Sequence, residues 1–540
     1  MLTFSAALVQ ARRNWKSGLT VALVSIPLSV SLAVASQATP TVGIITAIWA
    51  GIIAAIFGGS HYNVVGPTGA LSGLLAVQAL TNGPGCLPML AILSGALILC
   101  AYYFRLERYL IFIPASVLHG FIIGVAAIII LNQFDFAFGI PAHARHEHLM
   151  GNLWESLQLI GSSSGAALAI FGLFLAALFA IARFVPSLPP VIAVTPFGIL
   201  LGYAASTGVL PWVVQTLGDK FTDIQPRLFL FPSFSFSLSY MLPALAIAVV
   251  ALLETMLSAK VADVMTQTKH NASREVFGLG LANVVTGLFG GIPATAALAR
   301  TSLNIKSGCT NRMSAVLSSL GVVAISFLLL STFRFIPLAV ISAILVFVAV
   351  RMVEAEHIIA MFRLDKRSFW VAVLVAVVTV YEDPIVGILL GAVIAMILFM
   401  DKLSQGAYEI LSPGAITQTG GREPSPEREP DVLIYAIKGP LAYINGQSHV
   451  TFFEEKLAPY RAVILKLKDL SYIDLDGTQA LSEMIDLAQR QQKPIFVVGI
   501  QEPFVAMVHE SKKIDELQEK GVVFKTAAQA LAALKATKAV

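Results

Sequence analysis

Glu254 stands inside an apolar run, residues 242–257, with no charged neighbour in sequence. A carboxylate there is costly unless it is paired or protonated, which makes it a functional candidate. Ser258 follows one helical turn later and sets a hydroxyl on the same face. Oxygen ligands of this kind suit a hard cation such as sodium, to which Thr68 could add a third; a lone desolvated carboxylate could instead carry a proton. Arg300 is the second interior charge. It belongs to residues 287–308, an apolar stretch broken by Gly290, Gly291 and Pro293. Such a stretch cannot cross a bilayer as one regular helix, because its freed backbone groups find no water there; it is tolerable only where it lines a cavity. A half-helix starting near Pro293 would aim its unpaired N–H groups and positive dipole end into that cavity, and Arg300, one to two turns on, would add a full charge. The predicted chemistry is anion binding at mid-membrane. The plainer alternative is a constitutive Glu254–Arg300 ion pair that only joins two helices.

The elements that must hold these residues follow from composition. Of 540 residues, 56% are hydrophobic and 13% charged, with a mean hydropathy of +0.79. Soluble domains carry about 25% charged residues, so this chain reads as an integral α-helical membrane protein. A net charge of +4 spread over short loops leaves no nucleic-acid footprint. Cys86, Cys100 and Cys309 lack the spacing of a disulfide framework or a zinc site. Arg12, Arg13 and Lys16 before an apolar run ending Ala33-Val34-Ala35 resemble a signal peptide, although an uncleaved first span fits the repeat below better. Twelve span-sized segments run from 18–36 to 385–401, and two short Gly/Pro-marked ones, 64–80 and 293–305, bring the estimate to about fourteen. With the N-terminus inside, Arg12, Arg105, Arg183, Lys260, Lys306, Arg351, Lys366, Lys402 and most other basic residues fall in inner loops, against Arg145, Lys220, Arg227 and Arg334 outside.

A repeat organises the spans. Residues 52–59 end in Phe57-Gly58-Gly59 and lead to Gly66-Pro67-Thr68-Gly69; residues 284–291 end in Phe289-Gly290-Gly291 and lead to Pro293. Interrupted segments at matching places in two halves point to a transporter site. Seven spans per half, over about 14–207 and 238–402, make the second copy enter from the opposite side, so that two half-helix N-termini converge. The alternative for the glycines is simple close helix packing.

After a transmembrane part ending at residue 408, residues 409–430 read as a Gly/Pro/charge-rich linker and 431–540 as a soluble α/β domain at the inner membrane face. Residues 431–438, 462–468 and 494–499 read as strands, and 478–491 as an amphipathic helix. His143, His146 and His148 in an outer loop lack a second cluster and read as solvated rather than metal-binding.

Residues 290–295 (GGIPAT) followed by 299–304 (ARTSLN), with Glu254, Val261-Ala262-Asp263 and Gly66-Pro67-Thr68-Gly69, resemble the sulfate permease (SulP) family, solute carrier family 26. The tail resembles that family's sulfate transporter and anti-sigma antagonist (STAS) domain, through residues 473–478 (IDLDGT). The resemblance implies a seven-plus-seven inverted repeat of core and gate domains, elevator-type movement and a homodimer. It implies an anion flanked by Pro67, Thr68 and Gly69 on the third segment and by Ala299 and Arg300 on the tenth, with Glu254 as the coupling acid. In the sodium-dependent bicarbonate branch that position resembles an aspartate with a threonine one turn later; Glu254 and Ser258 depart from this. Asp476 occupies the position of a phosphorylatable serine in soluble relatives and cannot be phosphorylated. It is also an ordinary residue for a helix N-terminus, which suggests a structural or docking domain.

The expected function is secondary active transport of a small inorganic oxyanion, of sulfate or bicarbonate type, across a bacterial inner or plasma membrane, coupled to H+ or Na+ and needing no other cofactor. An uncoupled channel or exchanger would dispense with Glu254, and an anion sensor would signal through the STAS-like domain. No nucleophile–base pair or cofactor motif suggests an enzyme.

Overall fold

The computed structural model describes residues 4–106, 108, 114–141, 149–186, 188–210, 212–221, 224–232, 236–382, 384–411, 432–510 and 512–538. The triplet His143, His146 and His148 and most of the expected linker lie outside them. The chain divides into two compact units, Met1–Ala395 and Met396–Val540.

The first unit is helical. Its principal helices are α1 (Phe4–Ala35), α2 (Pro40–Phe57), α3 (Gly69–Asn82), α4 (Leu87–Tyr103), α5 (Ala115–Asn132), α6 (Gly165–Phe184), α7 (Pro190–Ser206), α8 (Met241–Thr266), α9 (Ala272–Leu288), α10 (Leu298–Lys306), α11 (Met313–Leu329), α12 (Leu338–Met352), α13 (Lys366–Tyr381) and the first part of α14 (Pro384–Ser404), which runs on into the second unit from Met396. Nine helical stretches among the described residues are long and apolar enough to cross a membrane; α3, α7, α9, α10 and α13 are shorter. Two short strands, β1 (Val65–Gly66) and β2 (Thr295–Ala296), precede α3 and α10.

The helices pack in pairs that join the two halves of the chain. One group sets α4 on α9, α1 on α11, and α2 on both α9 and α11, while α8 lies against α3, α4 and α10. A second sets α5 on α13 and α12, and α6 on α12 and α7. Small residues permit the approach, as membrane helices without a hydrophobic drive between them require. A Cβ at Gly95 of α4 would lie 2.7 Å from the Val284 nitrogen and 2.8 Å from the Gly280 carbonyl oxygen of α9, so those backbones touch. α1 is fastened to the second half by Ser17 Oγ and Ser314 Oγ at 2.8 Å and by the Thr310 amide donating to Asn14 Oδ1 at 2.8 Å.

The second unit is an α/β domain with β3 (Ala407–Leu411), β4 (Val432–Leu441), α15 (Gly446–Leu457), β5 (Ala462–Lys466), β6 (Leu470–Ile473), α16 (Leu475–Arg490), β7 (Ile495–Val498), α17 (Lys512–Glu519), β8 (Val523–Phe524) and α18 (Ala527–Lys538). The strand order is β3-β4-β5-β7-β8, with β6 also on β4; β3 is antiparallel to β4 and the other pairings are parallel. Alternation along β4 and β5 fills both faces, as in parallel sheets generally. Leu433, Tyr435, Val463 and Leu465 meet Phe453, Leu481 and Ile514 on one side, and Ile434, Ile464 and Phe496 meet Ala530 and Leu531 on the other. Residues 407–411, placed by the sequence at the junction of membrane part and linker, form a strand because Tyr408 stacks on Tyr435 with ring centroids 5.1 Å apart.

His449 lies fully buried in this core, where Tyr435 Oη and His449 Nδ1 are 3.0 Å apart and Nε2 has no hydrogen-bond partner among the described residues. Burial pushes its pKa down to about 4 from 6.5. Between those values the unfolded chain holds a proton that the folded domain does not, so stability is full above pH 6.5 and falls as the pH drops toward 4. The loss is at most about 3 kcal/mol. Hydrogen exchange of the β4 and β5 amides in the full chain, corrected for intrinsic rates, should report this decline, and His449→Phe should flatten it.

Candidate functional site at the crossing of the interrupted segments

The two broken segments meet. β1 and β2 pair antiparallel, Val65 with Ala296 and Gly66 with Thr295, and the Ala297 amide donates to the Val64 carbonyl at 3.1 Å. This pairing satisfies backbone groups that a broken membrane helix leaves free. The antiparallel sense is what two segments entering from opposite sides require.

The start of the second half-helix differs from the sequence reading. Pro293 lies outside any helix, and α10 begins only at Leu298. Gly290, with φ +81°, turns the chain out of α9. The Ala294 amide donates to Asn283 Oδ1 at 2.8 Å, and Asn283 Nδ2 donates to the Ala294 carbonyl at 2.9 Å, so the unwound chain is held by a side chain of α9 before it reaches β2. Arg300 therefore sits in the first turn of α10, not one to two turns along it. A cation there adds to the positive end of the helix dipole and strengthens the local positive potential.

α3 begins at Gly69 after Thr68, and α10 after Ala297; neither N-cap residue caps its own helix with its side chain. First-turn N–H groups without such caps are the donors that anions take up at helix N-termini. Pro67, Thr68 and Gly69 are buried, whereas Ala299 is exposed and leaves the α10 side accessible. Arg300 is 2% exposed and reaches back over β1, where Nη2 donates to the Pro67 carbonyl at 2.5 Å. Gly66 makes room for it, since a Cβ there would lie 2.7 Å from Nη1. Glu254 is half-buried on α8, and its Oε2 accepts from Thr68 Oγ1 at 3.1 Å. The acid thus bonds to the residue that opens α3.

Ser258 makes its hydrogen bonds elsewhere. Its hydroxyl is fully buried and bonds to Asn63 Oδ1 at 3.1 Å and Thr301 Oγ1 at 3.0 Å. The network it enters is not visible in the sequence. Glu275, 3% exposed near the start of α9, accepts from the Gly59 amide at 2.6 Å, the Ser60 amide at 2.7 Å and Asn63 Nδ2 at 2.7 Å. Thr255 and Thr295 hydroxyls lie 2.9 Å apart, and the Ala296 amide donates to Thr255 Oγ1 at 3.1 Å. Together these brace the strands from α8 and α9. A carboxylate next to an apolar run was the available signal for Glu275, but the amides it serves are over 200 residues away in sequence.

In the second unit, α16 starts at Leu475, three residues before the expected Thr478. Asp474 is its N-cap, accepting from the Gly477 amide at 2.8 Å and the Tyr443 amide at 3.0 Å. Asp476, exposed in the first turn, is therefore not the cap, and buried Thr478 bonds to the Asp474 carbonyl at 3.0 Å.

A profile of the sulfate permease family matches residues 12–375, and one of the STAS domain matches residues 423–530. A putative sulfate transporter, YvdB of Bacillus subtilis (strain 168), is 30% identical over 508 residues, 92% of each chain. The bicarbonate transporter BicA of Picosynechococcus sp. is 24% identical, covering 89% of this chain and 87% of its own. Among solved structures, SLC26A9 superposes with a TM-score of 0.80 at 16% identity, covering 98% of this chain and 91% of that one, a likeness of fold. Matched along most of its length by the family profile and by a relative of almost equal extent, this chain belongs to the sulfate permease family.

Proposed function

We propose that the chain is a secondary active transporter of a small oxyanion, sulfate or bicarbonate, driven by a cation that binds at Glu254. The observation that carries this reading is the meeting of two half-helix N-termini, uncapped by side chains, across β1–β2, with buried Arg300 beside them. Relatives named as sulfate and bicarbonate transporters support the substrate class. Pro67, Thr68, Gly69, Ala299 and Arg300 surround the anion. Arg300 and ionised Glu254 together carry no net charge, so the anion gains a positive site only when a cation neutralises Glu254. Loading of anion and cation is thereby coupled. Thr68, bonded to Glu254 and opening α3, relays the acid's state to the anion's donors. A proton needs only the carboxylate, whereas sodium needs several oxygens; with Ser258 engaged by Asn63 and Thr301, the proton is the favoured cation.

The two helix groups support elevator-type movement, in which α1–α4 and α8–α11 carry the site past the rest. A homodimer in a bacterial inner or plasma membrane, with both termini cytoplasmic, accords with the family and with the inner-loop excess of Lys and Arg. The STAS domain acts as a structural or docking module, since Asp476 already holds a carboxylate at the phosphorylation position.

Glu254→Gln tests the coupling. In proteoliposomes the variant should still equilibrate anion but should no longer accumulate it in response to a pH or sodium gradient. Undiminished gradient-driven accumulation would remove Glu254 from this role; an uncoupled wild type would make the protein a channel or exchanger.

A further inference from the structure

We infer that His119, Glu354 and His357 form a binding site for a divalent transition-metal ion, Zn2+ fitting best, which ties α5 to the corner that follows α12. One ligand atom from each of the three residues lies within 4.8 Å of the other two. The imidazoles of His119 and His357 stack with centroids 5.1 Å apart and planes 22° from parallel, and Glu354 Oε2 is 3.1 Å from His357 Nδ1.

The ligands come from elements placed independently of the site. His119 lies in the second turn of α5, and the adjacent Gly120 closes that helix onto Ala372 of α13, where a Cβ would lie 2.4 Å from the Ala372 carbonyl oxygen. Glu354 is the N-cap residue of the short helix Ala355–Leu364, which itself packs on α13. Its carboxylate does not cap that helix; it turns to His357, one turn on. No hydrogen bond among the described residues engages the ring nitrogens of His119.

Two imidazoles and one carboxylate are a ligand set used by zinc, with a fourth position left for water. The site is open enough for this, since the side chains of His357 and Glu354 are 63% and 35% exposed. Tetrahedral ligands about 2.0–2.1 Å from zinc stand about 3.3 Å apart, so small side-chain rotations close the site without moving a helix. Imidazole nitrogens favour zinc, nickel or copper over magnesium or calcium.

The corner held in this way adjoins the anion pocket. Met352, the last residue of α12, lies two residues before Glu354 and covers Gly69, where a Cβ would be 2.4 Å from Met352 Sδ. On the transporter reading, bound metal restrains α12 next to the N-terminus of α3.

The test uses the full-length, tag-free protein with His143, His146 and His148 replaced by alanine, so that the other histidine cluster cannot contribute. Zinc titration followed by calorimetry should give one saturable site per chain, and zinc-edge absorption a shell of two imidazoles and oxygen. His119→Ala and His357→Ala should each weaken binding by more than the about 10–100-fold that loss of an outer-shell partner costs. His357→Cys, which keeps a zinc ligand, should restore part of it, and an unchanged gel-filtration profile checks folding. No saturable zinc binding, or equal affinity in parent and both alanine variants, would overturn the site. Zinc should also slow anion uptake by the parent but not by His119→Ala; a metal site that leaves parental uptake unchanged would refute the restraint on the pocket while leaving the transporter reading intact.

Discussion

An Arg300→Ala protein is expected to take up its anion at about a hundredth of the wild-type rate or less. Arg300 contributes the only full positive charge among the residues assigned to the anion, and it is almost wholly buried. Its removal leaves Glu254 without its opposite charge and the Pro67 carbonyl without its donor. Stripping one charge from a buried pair costs about 3–5 kcal/mol, and each 1.4 kcal/mol is tenfold in affinity. Lysine should not rescue uptake, because a point charge on a flexible stem does not reproduce a planar donor packed against Gly66. Radiotracer uptake into proteoliposomes measures this, with circular dichroism to check that the variant is folded. Uptake within a few-fold of wild type would mean that the helix termini suffice without the guanidinium.

Glu275→Ala should destabilise the membrane unit by about 3–5 kcal/mol. The carboxylate accepts two backbone amides from the Gly59–Ser60 turn and one side-chain amide from Asn63, all buried. Without it those donors lose their acceptors in a place water does not easily reach. Each unsatisfied buried donor costs about 1–3 kcal/mol. The turn it holds links α2 to β1, and Asn63 passes the same contact to Ser258. A fall in melting temperature of the detergent-solubilised protein, with a smaller fall for Glu275→Gln, is the expected outcome. Equal melting temperatures for all three proteins would show that the clasp contributes nothing.

Glycine and proline breaks have local signatures, so Phe57-Gly58-Gly59 and Phe289-Gly290-Gly291 revealed two interrupted segments and the inverted halves around them. The pairing of β1 with β2 left no such trace, because two-residue strands 230 positions apart carry no periodicity. The same lack of local signal puts the start of α10 too early in a reading from sequence. Pro293 fits a helix start by its own preference, but Asn283 and β1 hold Ala294, Thr295 and Ala296 out of a helix. Glu254 was legible because a lone acid in an apolar run is conspicuous. Ser258 was legible as a neighbour on the helix but not in its contacts, since helical spacing cannot foresee that Asn63 and Thr301 approach from other elements. In the STAS domain the helix start depended on Asp474 meeting the Gly477 and Tyr443 amides, and two aspartates two residues apart offered both choices.

Whether the opposed N-termini of α3 and α10 hold the anion is tested most directly by a density map of the protein at saturating concentration of whichever anion proteoliposome uptake selects. Density for one anion is expected within hydrogen-bonding distance of the first-turn amides of both half-helices, beside Arg300. An anion bound at saturation elsewhere, with those amides unoccupied, would contradict it.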